Sequence, residues 1–194
     1  MDTERLCVDV DNVVAQTDEV MRGIIREFSS AKVDLQYEDI TCFDYWQCKD
    51  SQGRQFSRDE WPSIHCKFSE PHNILAIKPY PNVQVYLKQL AARYEIHLVT
   101  SRLPMAQEAT IQWLAEHKFP AHILHFVNHR EKHLLPIKFQ AAIDDDREQA
   151  RIFASLGVRA FLLAQTWNVI DDSTPIVRMN SWAELVLALL GLKT

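Results

Sequence analysis

The chain of 194 residues holds only four glycines, Gly23, Gly53, Gly157 and Gly191. No two stand close enough to build the GxGxxG turn of a dinucleotide fold or the glycine-rich loop of a P-loop enzyme, so both classes are excluded. No apolar run approaches the roughly 18 residues of a membrane span. The opening MDTERLCVDV is charged at once and lacks the apolar centre of a signal peptide. A cytoplasmic protein with no membrane partner is expected. A basic excess is missing as well: 21 Lys and Arg against 26 Asp and Glu leave a net charge of -5. Without a general positive field, duplex nucleic acid is not an expected partner. Four cysteines are too few for a disulfide scaffold, and Cys7, inside an apolar run, reads as a small buried hydrophobe.

What the sequence does have is alternation. Five short runs rich in Val, Ile, Leu and Phe recur: Leu6 to Val8, Ile96 to Val99, Ile123 to Val127, Phe139 to Ile143 and Ala160 to Leu163. Near-continuous apolarity in runs this short indicates strands covered on both faces. Helical patterns lie between them, from Val83 to Ala91 after Pro81, from Ala109 to Leu114 and from Arg147 to Leu156. The alternation predicts an α/β fold with a Rossmann-like, parallel five-stranded sheet flanked by helices. A last helix, Trp182 to Leu190, opens at Ser181 with Glu184 three residues on, the pattern of a capping box. Residues 17 to 80 break the rhythm with a helical stretch, Asp18 to Phe28, and then polar and aromatic sequence. The economical division is a core of residues 1–16 and 81–194, with a small, mainly helical cap, 17–80, inserted after the first strand.

In an open parallel sheet, ligands collect beyond the carboxyl ends of the strands. The first strand ends in Asp9-Val10-Asp11-Asn12-Val13, the second in Thr100-Ser101-Arg102 and the fourth in Asp144-Asp145-Asp146, after a segment holding Lys132. Acids, hydroxyls and a lysine delivered to one edge are what phosphoryl transfer through an aspartyl intermediate requires. An Asp nucleophile needs no deprotonation near neutral pH, but its charge repels a phosphate dianion unless a divalent cation screens both. Asp9, Asp11, Asp144 and Asp145 are the candidate metal-holding acids, with Asp9 and either Asp144 or Asp145 as hard oxygen ligands of Mg2+. Asp9 is the candidate nucleophile. Asp11, two residues on, is placed to protonate the leaving oxygen and then to activate water. Thr100, Ser101 and Lys132 are the candidate phosphate-binding residues. Lys138 is the weaker choice, because it precedes the fourth strand, whose active end is about 20 Å further on at about 3.3 Å per residue.

These residues resemble the four motifs of the haloacid dehalogenase superfamily of phosphohydrolases, met here as Asp9-Val10-Asp11-Asn12-Val13, Thr100-Ser101, Lys132 and Asp144-Asp145. The likeness is closer still to the 5'(3')-deoxyribonucleotidase-like branch and extends over nearly the whole chain. It is carried by DVDNVVA, by KPYPNVQVYLKQL leading into HLVTSR, and by QWLAEH, AIDDDREQA, LLAQTWN and RMNSWAEL. The resemblance implies a Rossmann-like core, a small helical cap after the first strand, dependence on Mg2+ and nucleoside monophosphate substrates. Asn12 stands where the superfamily commonly has glycine, which leaves the acids intact and bears on the local turn.

The insert's Phe43, Tyr45, Trp46 and Trp61 are candidates for stacking on a nucleobase, against the alternative that they form the insert's own small core. His122, His125, His129 and His133 crowd one region without a third ligand in register for zinc, and the spacings of Cys42, Cys48, His65 and Cys66 match no common zinc motif. The expected partner is a small phosphorylated substrate, and a homodimer is compatible with it. Rival functions are phosphatase action on another small ester or a polynucleotide end, and a catalytically silent binding protein of the same fold.

Overall fold

The structure is a computed structural model and describes residues 3–120, 123–170 and 175–192. The chain runs β1 (Glu4–Asp9), α1 (Thr17–Phe28), α2 (Trp61–Phe68), α3 (Pro71–Leu75), α4 (Val83–Leu90), β2 (Tyr94–Thr100) and α5 (Gln107–Glu116). It continues through β3 (Ile123–Phe126), β4 (Ala141–Asp144), α6 (Arg147–Ser155), β5 (Arg159–Leu163), β6 (Ile176–Met179) and α7 (Trp182–Leu190). All strand pairs are parallel, in the order β3-β2-β1-β4-β5-β6. The sheet therefore has six strands, where the apolar runs predict five. The sixth, β6, is a short edge strand with a single buried residue, Ile176, too little apolar surface to register as a run.

Alternation along the strands sorts the interior into two layers. Leu6, Val8, Ala141, Ile143, Phe161 and Leu163 face the larger core with Trp113, Leu87 and Leu185 from α5, α4 and α7. Cys7, Ala142, Ala160 and Leu162 face the other side, under Ala150 and Phe153 of α6. Asp9, two residues past Cys7, and Asp144, two past Ala142, thus share the α6 side. The order reverses between β1 and β4, which pair with Val8 opposite Ile143, so the crevice of the fold opens where these two acids stand.

The segment between β1 and α4 leaves and returns through two adjacent extended stretches. Gln16 N–H donates to the Lys78 carbonyl at 2.8 Å and Tyr80 N–H to the Val14 carbonyl at 2.9 Å. Its last helix, α3, packs on α5, where Trp113 Nε1 donates to the Ile77 carbonyl at 2.6 Å. At the other end of the chain, Ser181 Oγ accepts from Glu184 N–H at 3.2 Å, while the Glu184 carboxylate reaches one residue further, to Asn180 N–H at 2.8 Å. No helix among the described residues is long and apolar enough to cross a membrane.

Candidate active site

β1 and β4 deliver Asp9 and Asp144 side by side, and one cation joins them. Lys132 Nζ lies 2.8 Å from Asp9 Oδ1 and 2.7 Å from Asp144 Oδ2. It comes from a single 3-10 turn, Lys132–Leu134, in the crossover from β3 to β4, and is only 5% exposed. Lys138 is exposed, so Lys132 is the lysine that reaches the acids. Asp145 completes the group: one oxygen from each of Asp9, Asp144 and Asp145 lies within 4.8 Å of the others, the one such metal-sized cluster among the described residues.

Burial, opposed by Lys132 and aided by Asp144 and Asp11, brings the Asp9 carboxyl up to about 7. Burial also raises Asp144, and raises Asp145 well above the ordinary carboxylate range with the help of Asp9 and Asp144. Three buried carboxyls facing one ammonium are short of positive charge, and a divalent cation among their oxygens would favour the ionised forms. An all-oxygen donor set suits a hard cation that keeps some of its water. Gln149, on the first turn of α6, adds to the fit. It lines the small cavity over the acids at 1% exposure, yet neither its amide oxygen nor its amide nitrogen has a hydrogen-bond partner among the described residues.

Asp11 stands apart from this cluster. Its carboxylate accepts from Arg102 Nη2 at 2.8 Å, Thr17 Oγ1 at 2.6 Å and Thr100 Oγ1 at 3.2 Å. Of the four acids expected to hold the metal, the geometry brings Asp9, Asp144 and Asp145 together and leaves the Asp11 carboxylate turned to the buried Arg102 guanidinium, outside that cluster. Burial would raise the Asp11 carboxyl, but Arg102 and the Thr17 and Thr100 hydroxyls outweigh it and hold the group below its ordinary value.

The turn after β1 explains the asparagine at position 12. Asn12 has φ 55°, the left-handed region in which glycine is common and asparagine is tolerated. Its side chain does what glycine could not: Nδ2 donates to Asp145 Oδ2 at 3.2 Å, and Oδ1 accepts from Asp18 N–H at 2.8 Å at the start of α1. The loop after β5 braces the same turn. Gln165 Nε2 donates to the Asn12 carbonyl at 2.9 Å, and fully buried Asn168 donates to the Asp145 carbonyl at 3.1 Å. Arg178 of β6 in turn donates to Asn168 Oδ1 at 3.2 Å.

Of the expected phosphate-binding residues, Ser101 and Lys132 line the cavity over the acids, whereas Thr100 is fully buried. The Thr100 hydroxyl donates to Asp11 and accepts from Arg102 N–H at 3.2 Å. A larger cavity of about 780 Å³ adjoins, and Phe43, Tyr45, Trp46 and Trp61 all line it. Tyr45 is largely enclosed, with its hydroxyl donating to Asp18 Oδ1 at 2.9 Å. Trp61 stacks on His65, with ring centroids 5.4 Å apart, and Phe43 stacks on His129 at 5.8 Å. His122 lies outside the described residues. Near His133 the chain makes only the 3-10 turn, so His129 and His133 do not share a helix face.

Arg102, Gln149, Asn168 and His65 are site residues that sequence reasoning missed. Arg102 had a signal in its place directly after the Thr100-Ser101 pair. Gln149 had one too, being a polar residue at the start of a helix that follows the acids. The other two became readable only in three dimensions.

The profile of the family described as 5' nucleotidase, deoxy (pyrimidine), cytosolic type C protein (NT5C) matches residues 4–192. A curated relative from Halalkalibacterium halodurans, provisionally named a nucleotidase, is 22% identical over 187 residues, which cover 93% of this chain and 90% of its own. Among solved structures, a haloacid dehalogenase-like hydrolase from Streptococcus pneumoniae superposes with a TM-score of 0.65 at 14% identity, covering 96% of this chain and 98% of that one. A haloacid dehalogenase family hydrolase from Deinococcus radiodurans, solved with bound phosphate and sodium, gives 0.63 at 11% identity over 97% and 96% of the two chains. These two likenesses show the fold. The family match runs from the first residue of β1 to beyond the end of α7, and by it the chain belongs to the cytosolic type C 5' nucleotidase family, phosphoric monoester hydrolases of the haloacid dehalogenase superfamily.

Proposed function

We propose that the protein is a Mg2+-dependent phosphomonoesterase that hydrolyses nucleoside monophosphates through an aspartyl-phosphate on Asp9. The observation that carries this is the buried Lys132 ammonium bridging Asp9 and Asp144 at the sheet's crevice. It aims one cation at the place where a phosphoryl group meets the nucleophile. Asp9 attacks phosphorus, the ester P–O bond breaks, and water then cleaves the acyl phosphate. Ser101 and Lys132 hold phosphoryl oxygens. Asp9, Asp144 and Asp145 would hold Mg2+, which when bound would supply the charge that lets an anionic nucleophile approach an anionic phosphate. The Gln149 amide, without a hydrogen-bond partner among the described residues, is placed to bind a polar group entering the cavity over the acids.

Asp11 serves as the proton-transfer residue. Gripped by Arg102, it rests ionised, which suits the activation of water in the second step. For the first step Asp11 takes a proton from water as the Arg102 contact loosens and gives it to the leaving oxygen, and it is left ionised to accept the proton of the attacking water in the second. Residues 17–80 act as the cap, and the aromatic wall of Phe43, Trp46 and Trp61 receives the nucleoside. Every residue named comes from one chain, so the chemistry does not need a homodimer. A cytoplasmic location agrees with the family's cytosolic name.

The test is a screen of nucleoside 5'- and 3'-monophosphates, sugar phosphates and a 3'-phosphorylated oligonucleotide, each with Mg2+ and with EDTA. The expected result is a kcat/KM for one nucleoside monophosphate at least about tenfold above every sugar phosphate, abolished by EDTA; tenfold corresponds to about 1.4 kcal/mol of extra transition-state binding. A leading sugar phosphate or oligonucleotide end overturns the substrate assignment. No turnover of any ester overturns the enzyme assignment.

A further inference from the structure

We propose that Cys42 and Cys48 are a dithiol that closes reversibly to a disulfide and so sets the shape of the cavity wall between them. Their sulfurs lie 3.5 Å apart and both thiols turn toward the Asp44 carbonyl, Cys42 at 3.5 Å and Cys48 at 4.0 Å. A disulfide needs about 2.05 Å, an approach that side-chain rotation within a short loop can supply. Among the described residues, no other pair of cysteine sulfurs is in contact; Cys7 is buried and Cys66 exposed.

The position gives the bond a consequence. Phe43, Asp44, Tyr45 and Trp46, four of the five residues between the two cysteines, line the large cavity. Phe43, next to Cys42, also stacks on His129 and lies under the Arg130 guanidinium at 5.8 Å, where the insert meets the β3–β4 crossover. Shortening the Cys42–Cys48 span therefore moves the wall and its contact with the core together.

The two thiols have different access. Cys42 is half-buried and Cys48 is 1% exposed, so Cys42 reacts with an external oxidant and Cys48 resolves. With a low-molecular-weight disulfide as oxidant, the Cys42 thiolate attacks one sulfur and displaces a thiol. The Cys48 thiolate then attacks Cys42 Sγ and displaces the second thiol. The protein loses two electrons and two protons, and the oxidant becomes two thiols. Burial and the adjacent Cys48 push the Cys42 thiol up to about 11. The exchange is therefore slow at neutral pH and follows the ambient redox poise rather than a brief burst of oxidant.

The substrate consequence rests on the nucleotide reading above; the bond itself does not. The full chain carrying Cys66→Ser is incubated with glutathione disulfide and analysed by intact mass, by differential alkylation, and by kinetics on a nucleoside monophosphate and on p-nitrophenyl phosphate. Expected are a loss of about 2 Da, protection of Cys42 and Cys48 together, and reversal by dithiothreitol, the balance of one intramolecular exchange. KM for the nucleotide shifts at least about threefold while the aryl phosphate is unaffected, as for a wall that meets only the nucleoside. Cys48→Ser in the same background stops at a glutathione adduct on Cys42. An adduct that persists with Cys48 present, or no modification at all, overturns the pairing. A disulfide that leaves nucleotide KM unchanged overturns its control of the wall. If no nucleoside monophosphate is turned over, the substrate reading fails, and mass and alkylation still decide the dithiol.

Discussion

Replacing Lys132 with Met removes the positive charge between Asp9 and Asp144 while keeping much of the side chain's volume. The lysine is 5% exposed, with carboxylate oxygens at 2.8 and 2.7 Å. Deleting one member of a buried pair costs about 3–5 kcal/mol, and in a chain of this size each kcal/mol moves Tm by about 2–4 °C. A fall of about 8–16 °C at pH 8 is the expected outcome for about 4 kcal/mol. The loss depends on pH because carboxyls can shed their charge. In the intact protein Asp9 already sits at about 7, and Lys132 is what pulls it down, so in Lys132→Met it moves higher. A folded carboxyl that keeps its proton after the unfolded chain has lost its own makes stability fall as pH rises, from the unfolded value up to the folded one. Between pH 6 and pH 8 the intact protein leaves that window at about 7 while the variant stays inside it. The deficit thus widens by about 1 kcal/mol over the interval. Denaturant melts at the two pH values measure this, and kcat/KM on an aryl phosphate should drop at least about 100-fold. Equal Tm values for variant and parent, or a deficit that does not change with pH, would refute the charge argument; undiminished turnover would refute the phosphate-binding role.

Asp9→Asn should lose turnover by several orders of magnitude, since an amide oxygen is a poor nucleophile, while circular dichroism stays native and Tm holds or rises as one charge leaves a crowded site; persistent hydrolysis in the purified variant sinks the nucleophile assignment. Trp46→Ala should raise KM for a nucleotide and leave an aryl phosphate unaffected, because Trp46 lines the larger cavity and not the small one over the acids; parallel losses would make it packing alone. Asp50 is the third case: burial would raise its carboxyl, but the Asp34, Arg54 and Gln52 N–H groups and the Arg54 side chain bring it down to about 2. Its contribution to stability is present above the unfolded value of about 3.9 and is lost as pH falls toward the folded one, so Asp50→Asn should lower Tm at pH 7, with the gap closing in acid melts between about pH 4 and pH 2; a constant gap contradicts it.

The parallel core was legible because β1, β2, β4 and β5 are buried on both faces and write themselves as apolar runs, with their acids at the ends. Lys132 was legible for a simpler reason: chain length alone puts Lys138 out of reach. β6 was not, because an edge strand with one buried residue carries no run. Arg102 was legible in its place after Thr100-Ser101 but not in its role, because it holds Asp11, and no periodicity encodes an ion pair between residues so far apart in sequence. For the same reason Asp11 reads on paper as one more metal-holding acid, and only the folded geometry shows its carboxylate turned away from the other three. Asn12 is the reverse case: a departure from glycine that looks like a weakness in the sequence supplies two hydrogen bonds in the fold.

The paired crossings at residues 14–16 and 78–80 have a consequence for how such proteins diversify. Both ends of the insert are anchored side by side by two backbone hydrogen bonds, and the cost of closing a loop between fixed ends grows only slowly with its length. The sheet therefore registers where the insert begins and ends and is nearly indifferent to how much chain lies between. The insert is tied further by α3 and the Trp113 bond to Ile77, by the Phe43 stack on His129 and by the Tyr37 hydroxyl donating to Gln165. Grafting between related chains would then have natural junctions at 16 and just before Pro71, and would exchange Phe43, Tyr45, Trp46 and Trp61 of the larger cavity together while the acids at the strand ends stayed in register.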